Sequence, residues 1–237
     1  MYALQITSVT SFEREVVPFV HDALQEIGYV LIQANQGGYN EQQIERNMIA
    51  CCALFGRGLS DGLAQHVIEG YDSNEVLPVH TEGIYDPSGI IPYFALACIR
   101  PSDTGGETRL FDARQAAKRL RQIDPGLADV KVRYSSSSYP DLYTEHSLVS
   151  VYKGQEVLRY RTKTSHNTIV GDVAHDDFYS TADTCVESSL IISHTWVAGD
   201  ILIVNNNITL HDRLPYVGRR KMLRVRYGES QNRVLTY

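Results

Sequence analysis

His80-Thr81-Glu82, with His211 far downstream in the stretch Asn205-Asn-Asn-Ile-Thr-Leu-His-Asp-Arg213, brings together two imidazoles and a carboxylate. That set can occupy one face of an octahedral metal and leave the other three positions open. This is the arrangement of non-haem Fe(II) centres that activate O₂ with the help of a co-substrate. A spacing of two puts the side chains of His80 and Glu82 on the same face of a β-strand. On a helix they would stand about 200° apart, so the spacing argues for a strand. An H-x-E tripeptide alone arises often by chance, and a single histidine is more often a satisfied core or surface residue. The rest of the chain has to decide.

Positioning such residues requires strands, and the chain supplies them after an opening of helical character. Thr10-Ser-Phe-Glu13 has the form of a capping box. Val16, Val17, Phe19, Val20, Ala23, Leu24 and Ile27 follow at helical spacing. Gly28 is a natural stop, after which Tyr29–Ile32 turns to strand composition. A second helix is predicted from about Glu41 to Phe55, followed by a Gly-rich loop through Gly56, Gly58 and Gly62. From about Leu77 short apolar runs alternate with turn residues: 93–99, 107–111, 148–152, 188–192, 200–204 and 222–227. One helix interrupts them at 112–123, opening on the N-cap Asp112 and closing before Asp124-Pro125. The stretches 135–145 and 166–183 are polar and read as irregular, functional loops. Many short strands in a chain of this size predict a mainly β fold with flanking helices, a double-sheet sandwich or jelly roll. One domain over 1–237 is expected, with an N-terminal helical and strand segment at 1–76 and the jelly-roll core at 77–230.

At 237 residues the chain can bury a proper core. Its net charge of −6 disfavours nucleic acid or an anionic membrane as partner, because no basic excess offsets phosphate charge. The run from Arg213 to Arg226 is the one local exception. No stretch reaches the roughly 18 apolar residues of a membrane helix, and no secretory leader is visible. Cys51, Cys52, Cys98 and Cys185 have no C-x-x-C spacing and read as buried thiols. The expected location is the cytoplasm.

Four patterns then fall in order: His80-Thr-Glu82, Asp103-Thr-Gly-Gly-Glu-Thr-Arg-Leu-Phe-Asp112, Gly199-Asp-Ile-Leu-Ile-Val-Asn-Asn206 with His211, and Arg219-Arg-Lys-Met-Leu-Arg224. In this order they resemble the Fe(II)- and 2-oxoglutarate-dependent dioxygenases of the taurine dioxygenase type. The H-x-E form is similar to the clavaminate synthase branch with its amino-acid hydroxylases. The resemblance covers most of residues 77 to 227 and implies a double-stranded β-helix core.

It also implies roles. His80, Glu82 and His211 would be the iron ligands; the other six histidines match no ligand position. A carboxylate at position 82 sets the chain apart from the radical halogenases, which leave that coordination site to chloride. 2-Oxoglutarate would chelate the iron, with its distal carboxylate on Arg220 and the hydroxyl of Thr108. Positions 220, 222 and 224 share one strand face; Arg219 points the other way and takes the anchoring role if the register slips by one. Arg224 would meet an acidic group of the substrate, or else form a structural ion pair, and Arg161 is a second candidate substrate contact. Gly105 and Gly106 would allow a tight turn at the sandwich mouth. Asp200, Asn205 and Asn206 read as structural, with either Asn available to fix the His211 tautomer, and Trp196 reads as core.

The implied activity is oxidation of an unactivated C–H bond of an amino acid or similar small carboxylate, with O₂ consumed and succinate and CO₂ released. Hydroxylation is the expected outcome; desaturation, cyclisation, or action on a carrier-tethered aminoacyl group are alternatives within the class. Outside it stand a cupin-like metal hydrolase or isomerase, which needs no anchor such as Arg220 with Thr108, and a binding module without turnover.

Overall fold

Alternation in the strands is so regular that one strand serves two cores. In the strand Tyr93–Arg100, Phe94, Leu96 and Cys98 point into one apolar cluster while Ala95 and Ala97 point into another. The computed structural model describes residues 3–5, 17–34, 39–55, 65–86, 90–136, 139–164, 167–170 and 175–227. In chain order the elements begin with β1 (Ala3–Gln5), α1 (Val17–Glu26), β2 (Tyr29–Gln33), α2 (Glu41–Phe55), β3 (Gln65–Ser73) and β4 (Leu77–His80). Next come β5 (Tyr93–Arg100), β6 (Thr104–Gly105), β7 (Thr108–Asp112), α3 (Ala113–Ile123) and α4 (Pro125–Ala128). Four strands follow, β8 (Lys131–Ser136), β9 (Tyr139–Ser147), β10 (Val149–Tyr152) and β11 (Gln155–Leu158), then β12 (Asn167–Val170) and α5 (His175–Glu187). The chain closes with β13 (Leu190–His194), β14 (Ile201–Asn205), β15 (Thr209–Arg213) and β16 (Tyr216–Tyr227).

Two sheets form the body. The larger runs β1-β2-β14-β5-β16-β3, with β6 added to β16; the smaller runs β13-β7-β15-β4. They face each other across Phe94, Leu96, Cys98, Leu202, Val204 and Met222 from one side and Leu110 and Ile192 from the other, with Trp196 between them. The expected mainly β fold with flanking helices is thus present, and its layers stack as those of a jelly roll do. Helices α1 and α2 cover the outer face of the large sheet through Val20, Leu24, Ile44 and Met48. Helices α3 and α5 cover the small sheet through Ala116, Ala117, Leu120, Phe178, Ala182 and Val186. Asp112 caps α3, its carboxylate accepting from the backbone N–H groups of Arg114 and Gln115 at 2.8 and 3.3 Å. Residues before 77 are woven into the large sheet, since β2 pairs with β14 and β3 with β16.

Most elements fall where the sequence places them, with two corrections. The polar stretch 135–145 lies mostly in the hairpin β8–β9, and 166–183 contains β12 and most of α5. Polar composition there reflects one solvated face: Arg133 pairs with Glu145 and lies over the Tyr143 ring, while Phe178, Ala182 and Cys185 keep helical spacing on the buried side of α5. The capping box at Thr10–Glu13 and the loop at 56–62 lie outside the described residues. Among the described residues no helix is long and apolar enough to cross a membrane.

Candidate metal centre and co-substrate pocket

His211 on β15 is paired on one side with Leu110 of β7 and on the other with His80 of β4. Because directly paired residues share a face, both imidazoles point with Leu110 into the space between the sheets. Their rings stand 4.2 Å apart, and Phe94 of the opposite sheet packs on His211 at 4.5 Å. Glu82 follows β4 in a turn and brings one oxygen, Oε2, to 3.6 Å from His80 Nε2 and 3.5 Å from His211 Nε2. The three donor atoms lie within 4.8 Å of one another, and this is the one such group among the described residues. Strand pairing therefore joins the two histidines, whereas Glu82 lies not on a strand, as the spacing predicts, but in the turn after β4, which brings it to the same point.

The chemistry of the donors suits a divalent metal. The ring Nδ1–H of His80 donates to the Pro78 carbonyl at 2.8 Å, which fixes the tautomer and leaves the Nε2 lone pair facing Glu82. Burial, reinforced by His80 nearby, pushes His211 down to about 4, so its imidazole is neutral at ordinary pH despite the opposing pull of Glu82. Burial would raise the Glu82 carboxyl, but contacts with His211 and His80 and the charges of Arg226 and Arg224 outweigh it and hold it well below the usual range. Neutral imidazoles and an ionised carboxylate are the forms a metal binds.

Asn206 places the carboxylate. Its Oδ1 accepts from the Glu82 N–H at 2.8 Å, and its Nδ2 donates to the carbonyls of Glu82 and Ile91 at 2.9 and 2.8 Å. Arg159, buried, donates to the Asn206 carbonyl at 3.3 Å. Asn205 instead ties the loop to α1 through the Leu24 carbonyl. Neither Asn holds His211, whose Nδ1 has no hydrogen-bond partner among the described residues; the tautomer role expected for them is replaced by a backbone clamp on Glu82. Asn206→Ala leaves three buried backbone groups unpaired, and we expect a loss of about 3 kcal/mol of stability, read by thermal or urea unfolding.

The interior face of β16 carries Arg220, Met222, Arg224 and Arg226. Met222 lies in the inter-sheet cluster while Leu223 and Val225 face the helices, which sets the parity. Arg219 faces outward in an ion pair with Glu69. Arg220 is buried, its Nε has no partner, and no carboxylate pairs with it among the described residues. Gly106 lets β6 approach it: at φ +77°, a Cβ there would meet Ser102 Oγ at 2.8 Å, Tyr216 Cβ at 3.2 Å and Arg220 Cδ at 3.5 Å. Thr108 shares the interior face of β7 with Leu110, and its Oγ1 accepts from Trp196 Nε1 at 3.0 Å. That contact uses the hydroxyl as an acceptor and leaves its own proton to donate elsewhere. Trp196 is core, as expected, and also orients Thr108.

Arg224 Nη1 lies 3.2 Å from Glu82 Oε1. Arg226, absent from the sequence-based set, is buried and donates from Nε to the same oxygen at 2.7 Å, with Nη2 also on it. Its signal was parity with Arg220 and Arg224. Arg161 bridges directly opposite His80. The flanking bonds, Thr81 N to the Tyr160 carbonyl and Thr162 N to the Val79 carbonyl, make this the narrow, non-hydrogen-bonded type of pair, with side chains close together. Of the tyrosines near the expected site loops, Tyr160 is buried and donates to Asp183 at 2.7 Å, Tyr85 packs on the core beneath α3 and α5, and Tyr143 is exposed. The Tyr139 side chain lies outside the described residues.

Comparison with known proteins agrees with this geometry. The family described as "Taurine catabolism dioxygenase TauD, TfdA family" matches residues 3–226. A uridine-5'-phosphate dioxygenase from Streptomyces sp is 35% identical over 63 residues, 27% of this chain and 23% of that protein, so the match spans under a quarter of that relative's length. PvcB from Pseudomonas aeruginosa superposes with a TM-score of 0.68 at 17% identity, over 91% of this chain and 81% of its own. The non-haem iron oxygenase OrfP, solved with (3S)-hydroxy-L-Arg, gives a TM-score of 0.71 at 17% identity, over 94% and 82%.

Proposed function

The chain belongs to the TauD/TfdA family of Fe(II)- and 2-oxoglutarate-dependent dioxygenases, and on that premise we propose that it hydroxylates an amino acid or similar small carboxylate. The observation that carries the reading is the convergence, on one interior space, of the His80–Glu82–His211 group with Arg220, a buried cation that no carboxylate pairs among the described residues. A metal hydrolase or isomerase has no use for that cation. The (3S)-hydroxy-L-Arg bound to OrfP supports a substrate of the amino-acid class. The free, buried thiols of Cys51, Cys98 and Cys185 suit a reducing compartment, and we place the protein in the cytoplasm.

When bound, Fe(II) with 2-oxoglutarate supplies O₂ activation coupled to oxidative decarboxylation. One O₂, one 2-oxoglutarate and the substrate C–H then yield succinate, CO₂ and an alcohol. The chain's residues do the positioning. His80, Glu82 and His211 would hold the metal by one face. Arg220 and Thr108 would hold the distal carboxylate of 2-oxoglutarate, the guanidinium by charge-assisted hydrogen bonds and the hydroxyl by donation. Arg224, and Arg161 beside His80, would draw the substrate's acidic group to the same side of the site, which orients one C–H bond toward the metal. Phe94 and Leu110 make the adjoining wall apolar and exclude water.

The test is an anaerobic titration of the metal-free protein with Fe(II) and then 2-oxoglutarate. The weak visible charge-transfer band of the chelated co-substrate is expected, and a true amino-acid substrate will shift it. Folded, iron-loaded protein that shows no band would overturn the proposal.

A further inference from the structure

Glu82 uses its two oxygens differently. Oε2 faces both histidines at 3.5–3.6 Å, whereas Oε1 turns the other way and receives Arg226 through Nε at 2.7 Å and through Nη2. Arg226 is buried, and β-pairing sets it beside Phe94, which itself packs on His211. A side chain one methylene longer than aspartate reaches far enough from its own turn to meet a cation on the opposite sheet. We infer that Arg226 is a positioning residue: it occupies Oε1 so that Glu82 can offer the metal only Oε2.

The consequence follows from counting positions. A facial group of two imidazoles and one monodentate carboxylate leaves three octahedral positions, two for a chelating 2-oxo acid and one for O₂. A carboxylate free to turn could take a fourth position through its second oxygen and compete with the co-substrate. A guanidinium with two N–H groups on Oε1 opposes that rotation, since turning the carboxylate would break both of these buried, charge-assisted hydrogen bonds. Arg226 thereby supplies for Glu the restraint that a shorter carboxylate would gain from lack of reach. It also makes Arg224 the exchangeable partner. With Oε1 already doubly bonded to Arg226, Arg224 at 3.2 Å can leave for a substrate anion without stranding the carboxylate.

This inference rests on the dioxygenase reading, and a test with Co(II) in place of iron separates the two. The wild-type protein is loaded with Co(II), its d–d absorption recorded, and the dissociation constant for 2-oxoglutarate measured from the change in that spectrum. The same is done for Arg226→Met and Arg226→Lys. The expected result for Arg226→Met is an altered Co(II) spectrum before any co-substrate is added, and 2-oxoglutarate binding weakened by roughly 10–100-fold, the range for loss of a residue that orients a ligand. Arg226→Lys keeps a cation on Oε1 and should recover part of both. Should Arg226→Met fail to fold, the lysine variant carries the test, with a smaller shift of the same kind expected because an ammonium cannot fork onto one oxygen. A wild-type-like Co(II) spectrum with 2-oxoglutarate affinity within twofold, even with a lowered Tm, would overturn the inference. No 2-oxoglutarate response in the wild-type protein would instead overturn the dioxygenase reading beneath it.

Discussion

His211→Ala abolishes iron-dependent turnover, as does His80→Ala; the expected readouts are loss of succinate formation and of O₂ uptake at saturating Fe(II). Each substitution removes one of the three donors that converge within 4.8 Å. The remaining two cannot hold one face of an octahedral ion, so the effect should exceed the roughly 10–100-fold typical of residues that only orient a ligand. His211 is the more sensitive position. It is buried against Phe94, and its pKa near 4 keeps the ring neutral, so no proton competes with the metal until pH falls toward that value. The sign for stability is the same: a folded-state pKa below the ordinary histidine value contributes stability above that value and loses it as pH drops through 4. His21, which is exposed on α1 beside Asp22, is the control, and His21→Ala should leave turnover unchanged. Turnover that survives in either His80→Ala or His211→Ala would remove the basis of the assignment.

What the sequence conveyed about this site, and what it withheld, divides along a physical line. Spacing within a strand is local, so the parity of Arg220 with Arg224 is legible from position alone, whereas the strand face expected to join His80 and Glu82 ends at His80 and a turn carries Glu82 instead. The helix Glu41–Phe55 and the N-cap at Asp112 were equally local. Contacts between sheets are not. Nothing near Arg226 in sequence announces that its guanidinium meets Glu82, 144 residues away, and Asn206 clamps Glu82 across 124 residues. Polar composition makes 135–145 and 166–183 look like loops, because the buried faces of these half-solvated elements contribute few residues. The strand β3 carries no strand signal for a related reason: it is the edge of the large sheet, and Val67, Ile68 and Tyr71 are exposed rather than alternating against a core. Arg224 illustrates the limit of parity. Its face was legible, but its ion pair with Glu82 depends on the turn that carries Glu82 across the interior.

Arg220→Ala should raise the KM for 2-oxoglutarate by orders of magnitude while changing kcat far less once the co-substrate is saturating. Arg220 is buried, and burial lowers its pKa to about 10, so it remains a cation at neutral pH. A buried cation without a carboxylate among the described residues is costly unless an anion completes it. The neighbouring Arg213 repels it and cannot serve. Two charge-assisted hydrogen bonds at roughly 1.5–3 kcal/mol each amount to about 3–6 kcal/mol, or roughly 10²–10⁴-fold in affinity. Arg219→Ala supplies the contrast, because that side chain lies on the outer face with Glu69 and should leave the KM within about twofold. A second signature is independent of absolute affinity. Wild-type protein should reject 2-oxo acids that lack a distal carboxylate, whereas Arg220→Ala should discriminate little between them and 2-oxoglutarate, since the preference resides in the missing cation. If Arg219→Ala rather than Arg220→Ala produced these effects, the co-substrate would have to bind outside the sandwich, and the interior face of β16 would lose its assigned purpose. The contrast between these two variants is thus a test of strand parity as much as of the co-substrate anchor.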